Sequence, residues 1–376
     1  MTDAAPLTFH VVFVPGTVRN LQIFMPSLAA WGDGCRFRLV SNGCSPAEDL
    51  LLQRLVQLSP RFEFCRLPGR KTWDHGQALS YLQRRETDSR FAFLDSDIFA
   101  SGNFLSDLYA RSGEVDALFS CPPVWSNDQL ATVPHDFKVA RGYHRQMQNG
   151  FLIGSSYFAI YDNRVLSDCM RAYGIDLCSY RWGEIPSAIR ERLTAAGLNL
   201  RAYDTTKLAN ILLNLDGRTC RFLTTQCLHH VGGVSGAALS PWRQPLMGRN
   251  WRGSLSVLRR IIFIIAAWVR RHNRSREGMS SDEMHFIINA AKNRQRSVRA
   301  YVFRLLQALD SGETQSMAYD SGDADLNAQV QPMEAIIRHQ YSTWRAWLDG
   351  REPMTATPLA LVSPSVWQPE VRDAAA

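Results

Sequence analysis

Apolar and polar positions follow two periods along the first half of the chain. Phe9–Val14 (FHVVFV) is a β-branched and aromatic run closed by Pro15-Gly16, which predicts a strand ending in a turn. Leu21, Phe24, Met25 and Leu28 recur at helical spacing and predict a helix over Asn20–Trp31. Phe37–Val40 reads as a second strand before the turn Ser41-Asn42-Gly43, and Pro46–Leu58 as a helix with proline at its start. Phe62–Leu67 is a third strand, stopped by Pro68-Gly69; His75–Arg85 is helical and Phe91–Leu94 is a fourth strand. Strands alternating with short helices imply an α/β fold with a mostly parallel, Rossmann-like sheet flanked by helices. Ligands of such sheets bind at the carboxyl ends of the strands.

The pattern continues with a strand at Ala117–Ser120, a loop over 121–149 rich in Pro, Asn, Asp and His, and an extended segment at Phe151–Tyr161. An amphipathic helix is predicted over Ile185–Ala196, ended by Gly197. Beyond about residue 243 the character changes. Arg249–Arg276 holds eight arginines and no acid around the apolar run Ile261–Val269. Nine apolar residues are too few to span a bilayer, which needs roughly 20. The run suits a helix lying in an anionic membrane interface, and equally one buried against the rest of the protein. Helices are predicted at Asp282–Leu309 and Gln331–Leu348, joined by an acidic, Ser/Gly-rich segment, Asp310–Gln329, expected to be a mobile linker. The expected organisation is an α/β domain over 8–242, a basic helical extension over 243–350 and a disordered tail over 351–376.

Charge narrows the partners. The formal net charge of +7 favours acidic ones, such as sugar nucleotides, anionic lipid or nucleic acid. No recognised nucleic-acid module accompanies it. Eight cysteines contain no CxxC pair, which argues against a zinc cluster or a thioredoxin-type motif and for free thiols in a reducing compartment. Met1–Pro6 carries an acid and lacks a basic-then-apolar order, so no secretory signal is expected. The expected location is the cytoplasm, with peripheral contact at the inner membrane face if 249–276 lies in the interface.

Four local features carry possible chemistry. In Phe91–Ile98 an apolar strand runs into Asp95-Ser96-Asp97. Alternate strand side chains share a side, so Asp95 and Asp97 can aim two hard oxygen ligands at one point, suited to Mg²⁺ or Mn²⁺ with a diphosphate completing the shell. The plainer reading has the two acids capping a turn. His229-His230 precedes Val231-Gly232-Gly233; a late histidine could complete such a shell, or the pair could be structural. Arg181-Trp182-Gly183-Glu184 leads into a helix, where Glu184 suits a general base but is equally favoured by the helix macrodipole. Arg70–Gly76 sets basic groups and a glycine before a helix, a setting for phosphate or simply a solvated loop.

In their order these motifs resemble GT-A-fold glycosyltransferases (nucleotide-diphospho-sugar transferases), most closely family 2, over about residues 8–240. The resemblance implies that Val11–Thr17, with Pro15, Gly16 and Thr17, cradles the nucleotide base. It also places Asn42, Lys71, His75, Gly76, Asp95 and Ser96 around the donor. The family's acidic loop after the second strand is here Ser41-Asn42-Gly43-Cys44, with Ser41 where the base-contacting Asp usually stands. His75-Gly76-Gln77-Ala78 is similar to the helix start beneath the donor, and Asn149–Gly154 to the glycine-bearing segment near the acceptor. Asp95-Ser96-Asp97 matches the metal motif, His230, with His229 as the alternative, looks like the late metal ligand, and Glu184 like the catalytic base, although the usual Glu-Asp pair is here Glu184-Ile185. The implied activity is Mn²⁺- or Mg²⁺-dependent transfer from a nucleotide sugar, UDP-sugar first, to a glycan or lipid-linked acceptor, with inversion. The alternatives are a retaining family 8-like enzyme and a non-catalytic sugar-nucleotide-binding protein. A haloacid-dehalogenase reading fails on Phe99, which stands where that motif needs a hydroxyl.

Overall fold

The computed structural model describes residues 7–32, 34–112, 115–126, 145–146, 152–153, 157–200, 202–223, 225–235 and 281–348. In chain order the first elements are β1 (Thr8–Phe13), α1 (Val18–Leu21), α2 (Met25–Trp31), β2 (Arg36–Ser41), α3 (Pro46–Leu58), β3 (Phe62–Arg66), α4 (His75–Gln83), β4 (Arg90–Asp95), β5 (Ile98–Ala100), α5 (Leu105–Ser112) and β6 (Ala117–Ser120). They continue with β7 (Arg145–Gln146), β8 (Leu152–Ile153), β9 (Phe158–Asp162), α6 (Asn163–Tyr173), β10 (Tyr180–Arg181), α7 (Ser187–Ala195) and β11 (Ala202–Tyr203). The last are α8 (Lys207–Leu215), β12 (Cys220–Phe222), β13 (Leu228–His230), α9 (Ser281–Asp310) and α10 (Ala324–Leu348).

Seven strands form one sheet in the order β12-β6-β9-β4-β1-β2-β3. β1 pairs in parallel with β2 and β4, β2 with β3, and β6 with β12; β9 alone runs antiparallel, between β4 and β6. The sheet is therefore mostly parallel and flanked by helices, as the alternation of strands and helices predicts. Side chains of β1 split by parity: Phe9, Val11 and Phe13 enter one core and Val12 the other. The first core takes α1, α2, α3, α5, α9 and α10, the second α4, α6, α7 and α8. With both faces apolar, a one-residue slip would still bury β1. Register is held instead by the matching of bulky residues to each core.

The carboxyl ends of β1, β2, β3 and β4 lie along one edge, because parallel registers pair Phe13 with Ser41, Ser41 with Arg66, and Val12 with Asp95. The loops that start at Val14, Asn42, Leu67 and Ser96 all leave from that edge.

Three segments differ from the sequence expectation. Asn20–Trp31 is not one helix: α1 passes into a 3₁₀ turn over Gln22–Phe24 before α2 begins. Pro26 has no N–H to give the carbonyl of Gln22, so the chain tightens there and restarts. The second C-terminal helix begins at Ala324, seven residues early, because Asp323 caps it by accepting from the Leu326 N–H at 3.1 Å. Pro332 is carried on the exposed face of that helix. Of the segment expected to be a mobile linker, 324–329 is already helical, and the mostly exposed loop before it is pinned to both helices. Tyr319 is buried and its hydroxyl donates to Ser297 Oγ at 2.9 Å, while Met317 N–H donates to Glu334 Oε1 at 2.9 Å.

Helices α9 and α10 share the first core with the sheet, and α10 is tied to the amino-terminal helices. Arg345 Nη1 donates to the Arg19 carbonyl at 3.1 Å, and Arg54 Nη1 to that of Leu348 at 3.0 Å. Among the described residues no helix is long and apolar enough to cross a membrane. The arginine-rich 249–276 segment, the tail from 349 and most of Asn149–Gly154 lie outside the described residues. All eight cysteines are free thiols.

At the opposite, amino-terminal edge of the sheet a buried ionic cluster braces β1, β2 and the turn before β4. His10 is fully buried and Nε2 lies 2.9 Å from Glu86 Oε2. Burial lowers the His10 pKa despite the Glu86 hydrogen bond, so the ring is neutral and donates through Nε2. Burial alone would raise the Glu86 pKa, but hydrogen bonds from His10 and the Asp88 N–H, with the Arg38 charge, bring it down to about 2. A depressed carboxylate stabilises the fold above its unfolded pKa and loses that contribution as pH falls through the folded value. Glu86→Gln is expected to cost on the order of 3 kcal/mol at pH 7. The gap to wild type, read from urea midpoints, should narrow between pH 5 and pH 2; a gap independent of pH would remove the ionic account.

Candidate functional site

Strand β4 delivers Asp95 at its last position, Ser96 turns the chain, and Asp97 immediately precedes β5. Strand β13 pairs antiparallel with β5, setting His230 opposite Ile98 and His229 opposite Phe99. Strand alternation then separates the two histidines. His230 turns inward: Nε2 lies 3.2 Å from Asp97 Oδ1 and 3.6 Å from Asp95 Oδ2. His229 turns the other way, stacks on Phe99 with ring centres 5.1 Å apart, and meets Ser101 Oγ at 2.8 Å through Nε2. Of the doublet, His230 and not His229 thus faces the two aspartates.

Asp95, Asp97 and His230 offer ligand atoms within 4.8 Å of one another, the cluster of that kind found among the described residues. His230 Nδ1 lies 3.1 Å from the Cys121 carbonyl and donates to it, which directs the Nε2 lone pair at the carboxylates. Nε2 is buried and makes no well-formed hydrogen bond, and Ser96 Oγ is likewise buried without a partner. Asp97 is itself held: Oδ2 accepts from the Val234 N–H at 3.1 Å, and its carbonyl from the Val231 N–H at 3.1 Å. An imidazole whose far nitrogen is fixed by a carbonyl, facing two oxygen donors, is the donor set of a divalent-cation site.

The electrostatics agree with that reading. Burial and the neighbouring Asp97 and Asp204 charges, partly offset by His230, raise the Asp95 pKa to about 7. Burial would also raise Asp97, but the His230 charge and hydrogen bonds hold it below the usual carboxylate range. His230 is raised, since attraction to Asp97 and Asp95 outweighs its burial. Without a cation, a proton must occupy this cluster to relieve two facing carboxylates; a divalent cation does the same with both acids ionised.

The other expected residues lie as follows. His75 opens α4, and burial lowers its pKa to about 4 against the opposing charges of Asp204 and Asp97, so its ring is neutral. Gly76 has no room for a side chain: a Cβ would lie 2.5 Å from Cys178 Cα and from the Leu177 carbonyl. That close approach ties the start of α4 to the 177–178 backbone. Gly16 has φ +83°, and its N–H donates to Glu48 Oε1 at 2.6 Å. Thr17 is buried, its hydroxyl donating to the Val14 carbonyl at 2.7 Å. Asn42 clamps the Trp73 backbone, donating to its carbonyl at 2.9 Å and accepting from its N–H at 2.8 Å. Thr17 and Asn42 therefore shape the loops at the sheet edge with their side chains already engaged. Pro15 is partly exposed there and Lys71 is exposed.

Glu184 ends a single 3₁₀ turn over Trp182–Glu184, is exposed, and accepts from the Arg181 N–H at 2.7 Å. Asp176 is engaged internally, accepting from the Tyr180 hydroxyl at 2.8 Å and the Cys178 N–H at 2.8 Å. Sequence reasoning missed Asp204, which follows β11 and whose charge acts on both His75 and Asp95. It also missed Cys121, a non-glycine residue at φ +59° just beyond β6. Cys121 stands directly after a strand of the main sheet, the position that the carboxyl-edge rule singles out, whereas Asp204 follows β11 of the separate antiparallel ribbon with β10, which that rule does not reach.

No family model matches the chain, and no curated protein matches it. Solved structures do. The glycosyltransferase GlyE of Streptococcus pneumoniae TIGR4 is similar at 13% identity with a TM-score of 0.33, over 58% of this chain and 45% of that one. The mannosyltransferase PcManGT from Pyrobaculum calidifontis, in complex with GDP-Man and Mn²⁺, is similar at 11% identity and a TM-score of 0.35, over 92% and 88%. Residues 1–349 of S. aureus TarS are similar at 11% identity and a TM-score of 0.37, over 84% and 98%. The chain thus spans less than half the length of GlyE.

Proposed function

We propose that this protein is a metal-dependent glycosyltransferase of the GT-A type, nearest family 2 in the order of its motifs, which moves a sugar from a nucleoside-diphosphate donor to an acceptor hydroxyl with inversion. The observation that carries the reading is the buried His230 Nε2 facing Asp95 and Asp97 at the carboxyl edge of the sheet. Those three residues would hold Mn²⁺ or Mg²⁺. Such an ion supplies positive charge against the phosphate oxygens of the departing nucleoside diphosphate.

The remaining work falls to the chain. The loop Pro15-Gly16-Thr17 and the clamped Asn42 line the base end of the donor. Lys71 offers its ammonium to the phosphates from the loop after β3, and Ser96 its unpartnered hydroxyl. His75, neutral above about pH 4, presents a ring nitrogen to the donor without adding charge. Glu184 accepts the acceptor's proton as the hydroxyl oxygen attacks the anomeric carbon opposite the leaving phosphate. The acceptor is a glycan or lipid-linked hydroxyl, and the nucleotide is UDP. The arginine-rich 249–276 segment would bring the enzyme to an anionic membrane face.

A thermal-shift panel of nucleotide sugars with and without Mn²⁺ tests the reading. A ligand present at about 100 times its Kd stabilises the native state by about 2.7 kcal/mol. A rise in Tm with a UDP-sugar, larger with Mn²⁺ than with EDTA, is expected. No shift with any nucleoside-diphosphate sugar would overturn the proposal.

A further inference from the structure

The loop carrying His230 is held from behind by α9. Gly233 (φ +85°) leaves so little space that a Cβ would lie 2.4 Å from Gln295 Nε2, and its carbonyl accepts from Arg299 Nη1 at 3.3 Å. One turn earlier on the same helix, Arg294 Nε donates to the Trp125 carbonyl at 3.0 Å while its Nη1 pairs with Asp323. These two arginines grip two different segments that meet at the metal cluster. The segment at 121–126 supplies the Cys121 carbonyl that accepts the hydrogen bond from His230 Nδ1–H. The segment at 230–234 supplies His230 itself and the Val234 N–H that holds Asp97. Between them, Val124 N–H donates to the His230 carbonyl at 2.9 Å, and Gly232 (φ +79°) lets Trp125 and Pro123 close within 3 Å of where its Cβ would be.

We infer that Arg294 and Arg299 of the C-terminal helix are positioning residues, which fix the aim of His230 at Asp95 and Asp97 by locking together the 121–126 and 230–234 segments. Burying a guanidinium is costly, and Arg299 is 2% exposed. A helix serving only to cover apolar surface would fill that place with an aliphatic side chain at lower cost. Arg299 instead gives its Nη1 donor to the backbone of the loop that carries His230. The C-terminal helices are on this view a working part of the site. The inference rests on the proposed cation site, and its test is arranged so that either can fail alone.

The experiment compares the full chain with Arg299→Met, Arg299→Lys and the control Tyr301→Phe. Tyr301 lies on α9 and donates to Glu334 Oε2 of α10 at 2.8 Å, so its loss weakens the same helix pair without touching either loop segment. Two readouts are taken below every variant's Tm: Mn²⁺ affinity from the EPR signal of free Mn²⁺, and protection of the His230 Nδ1–H in the metal-free protein by ¹⁵N-histidine NMR. Loss of an outer group around a metal ligand typically costs 10–100-fold in affinity. Arg299→Met should weaken Mn²⁺ binding about tenfold or more and lose the protected Nδ1–H. Arg299→Lys should recover part of both, and Tyr301→Phe should lower Tm while changing neither. A lowered Tm in Arg299→Met with both readouts at wild-type values overturns the positioning role. If wild type itself binds no Mn²⁺ but Arg299→Met still loses the protected proton, the cation reading falls and the positioning role stands.

Discussion

Asp97→Asn is expected to abolish sugar transfer while leaving the fold intact, the largest single effect we anticipate. Asp97 is the acid most committed to the cluster: it is buried, lies 3.2 Å from His230 Nε2, and is fixed by the Val234 N–H. The amide keeps the size and can still accept from Val234, so packing should survive. What disappears is a negative charge facing a buried imidazole and, when the site is filled, a cation. Loss of a first ligand from a catalytic ion should lower kcat by at least about 10³-fold, comparable to removing a strong charge-stabilising group. Wild type should require Mn²⁺ or Mg²⁺ and lose activity in chelator. The variant should show near-native circular dichroism, no activity at any metal concentration tested, and no Mn²⁺-dependent rise in Tm. Full wild-type turnover in excess EDTA would sink the metal role.

Much of this site is local in sequence, which is why the chain reveals it before any fold is known. Asp95 and Asp97 are two residues apart at a strand end, so period-two geometry alone brings them together. His230 required the fold. Nothing within reach in sequence says that β13 will lie beside β5, and only that pairing chooses His230 over His229. The sheet was legible because the apolar positions of β1 to β3 are closed by Gly, Pro and Asn turns and β4 is an apolar run ending in Asp-Ser-Asp. Helix α6 was missed although its signals are present: Asp162 caps it by accepting from the Val165 N–H, and Gly174 closes it in the left-handed region. Its strand-like neighbour, FAIYD, masked that start. Helix α8 was missed although Lys207, Asn210 and Asn214 recur on one face at helical spacing; that polar face is buried along with the leucines. The bonds of Arg294 to Trp125 and of Arg299 to Gly233 join residues more than sixty positions apart, and no local pattern encodes them.

Glu184→Gln is expected to lower kcat by about 10²–10⁴-fold, the range for a positioned acid–base group, with donor affinity nearly unchanged. The structure sharpens this expectation by supplying a competitor. Glu184 is exposed and holds the Arg181 N–H, an arrangement that a helix-start carboxylate adopts with or without catalysis. Asp204, by contrast, lies close enough for its charge to act on His75 and Asp95. The two carboxylates leave opposite ends of one antiparallel ribbon of β10 and β11: Glu184 continues past the Arg181–Ala202 end, while Asp204 lies at the other end, where it accepts from Ser179 Oγ at 3.3 Å. They differ in what their loss should do. Removing a base that acts only on the acceptor lowers kcat and leaves the KM for donor alone. Removing Asp204 relieves one of the charges that raise the Asp95 pKa, so Asp204→Asn should alter Mn²⁺ affinity as well as rate. The discriminating measurement is therefore the pair kcat and Mn²⁺ Kd for both variants. Glu184→Gln with kcat down at least a hundredfold and Mn²⁺ Kd unchanged keeps Glu184 as base. Near wild-type turnover in Glu184→Gln, with Asp204→Asn losing both turnover and Mn²⁺ affinity, would move the base to Asp204 and leave Glu184 as the cap of its 3₁₀ turn.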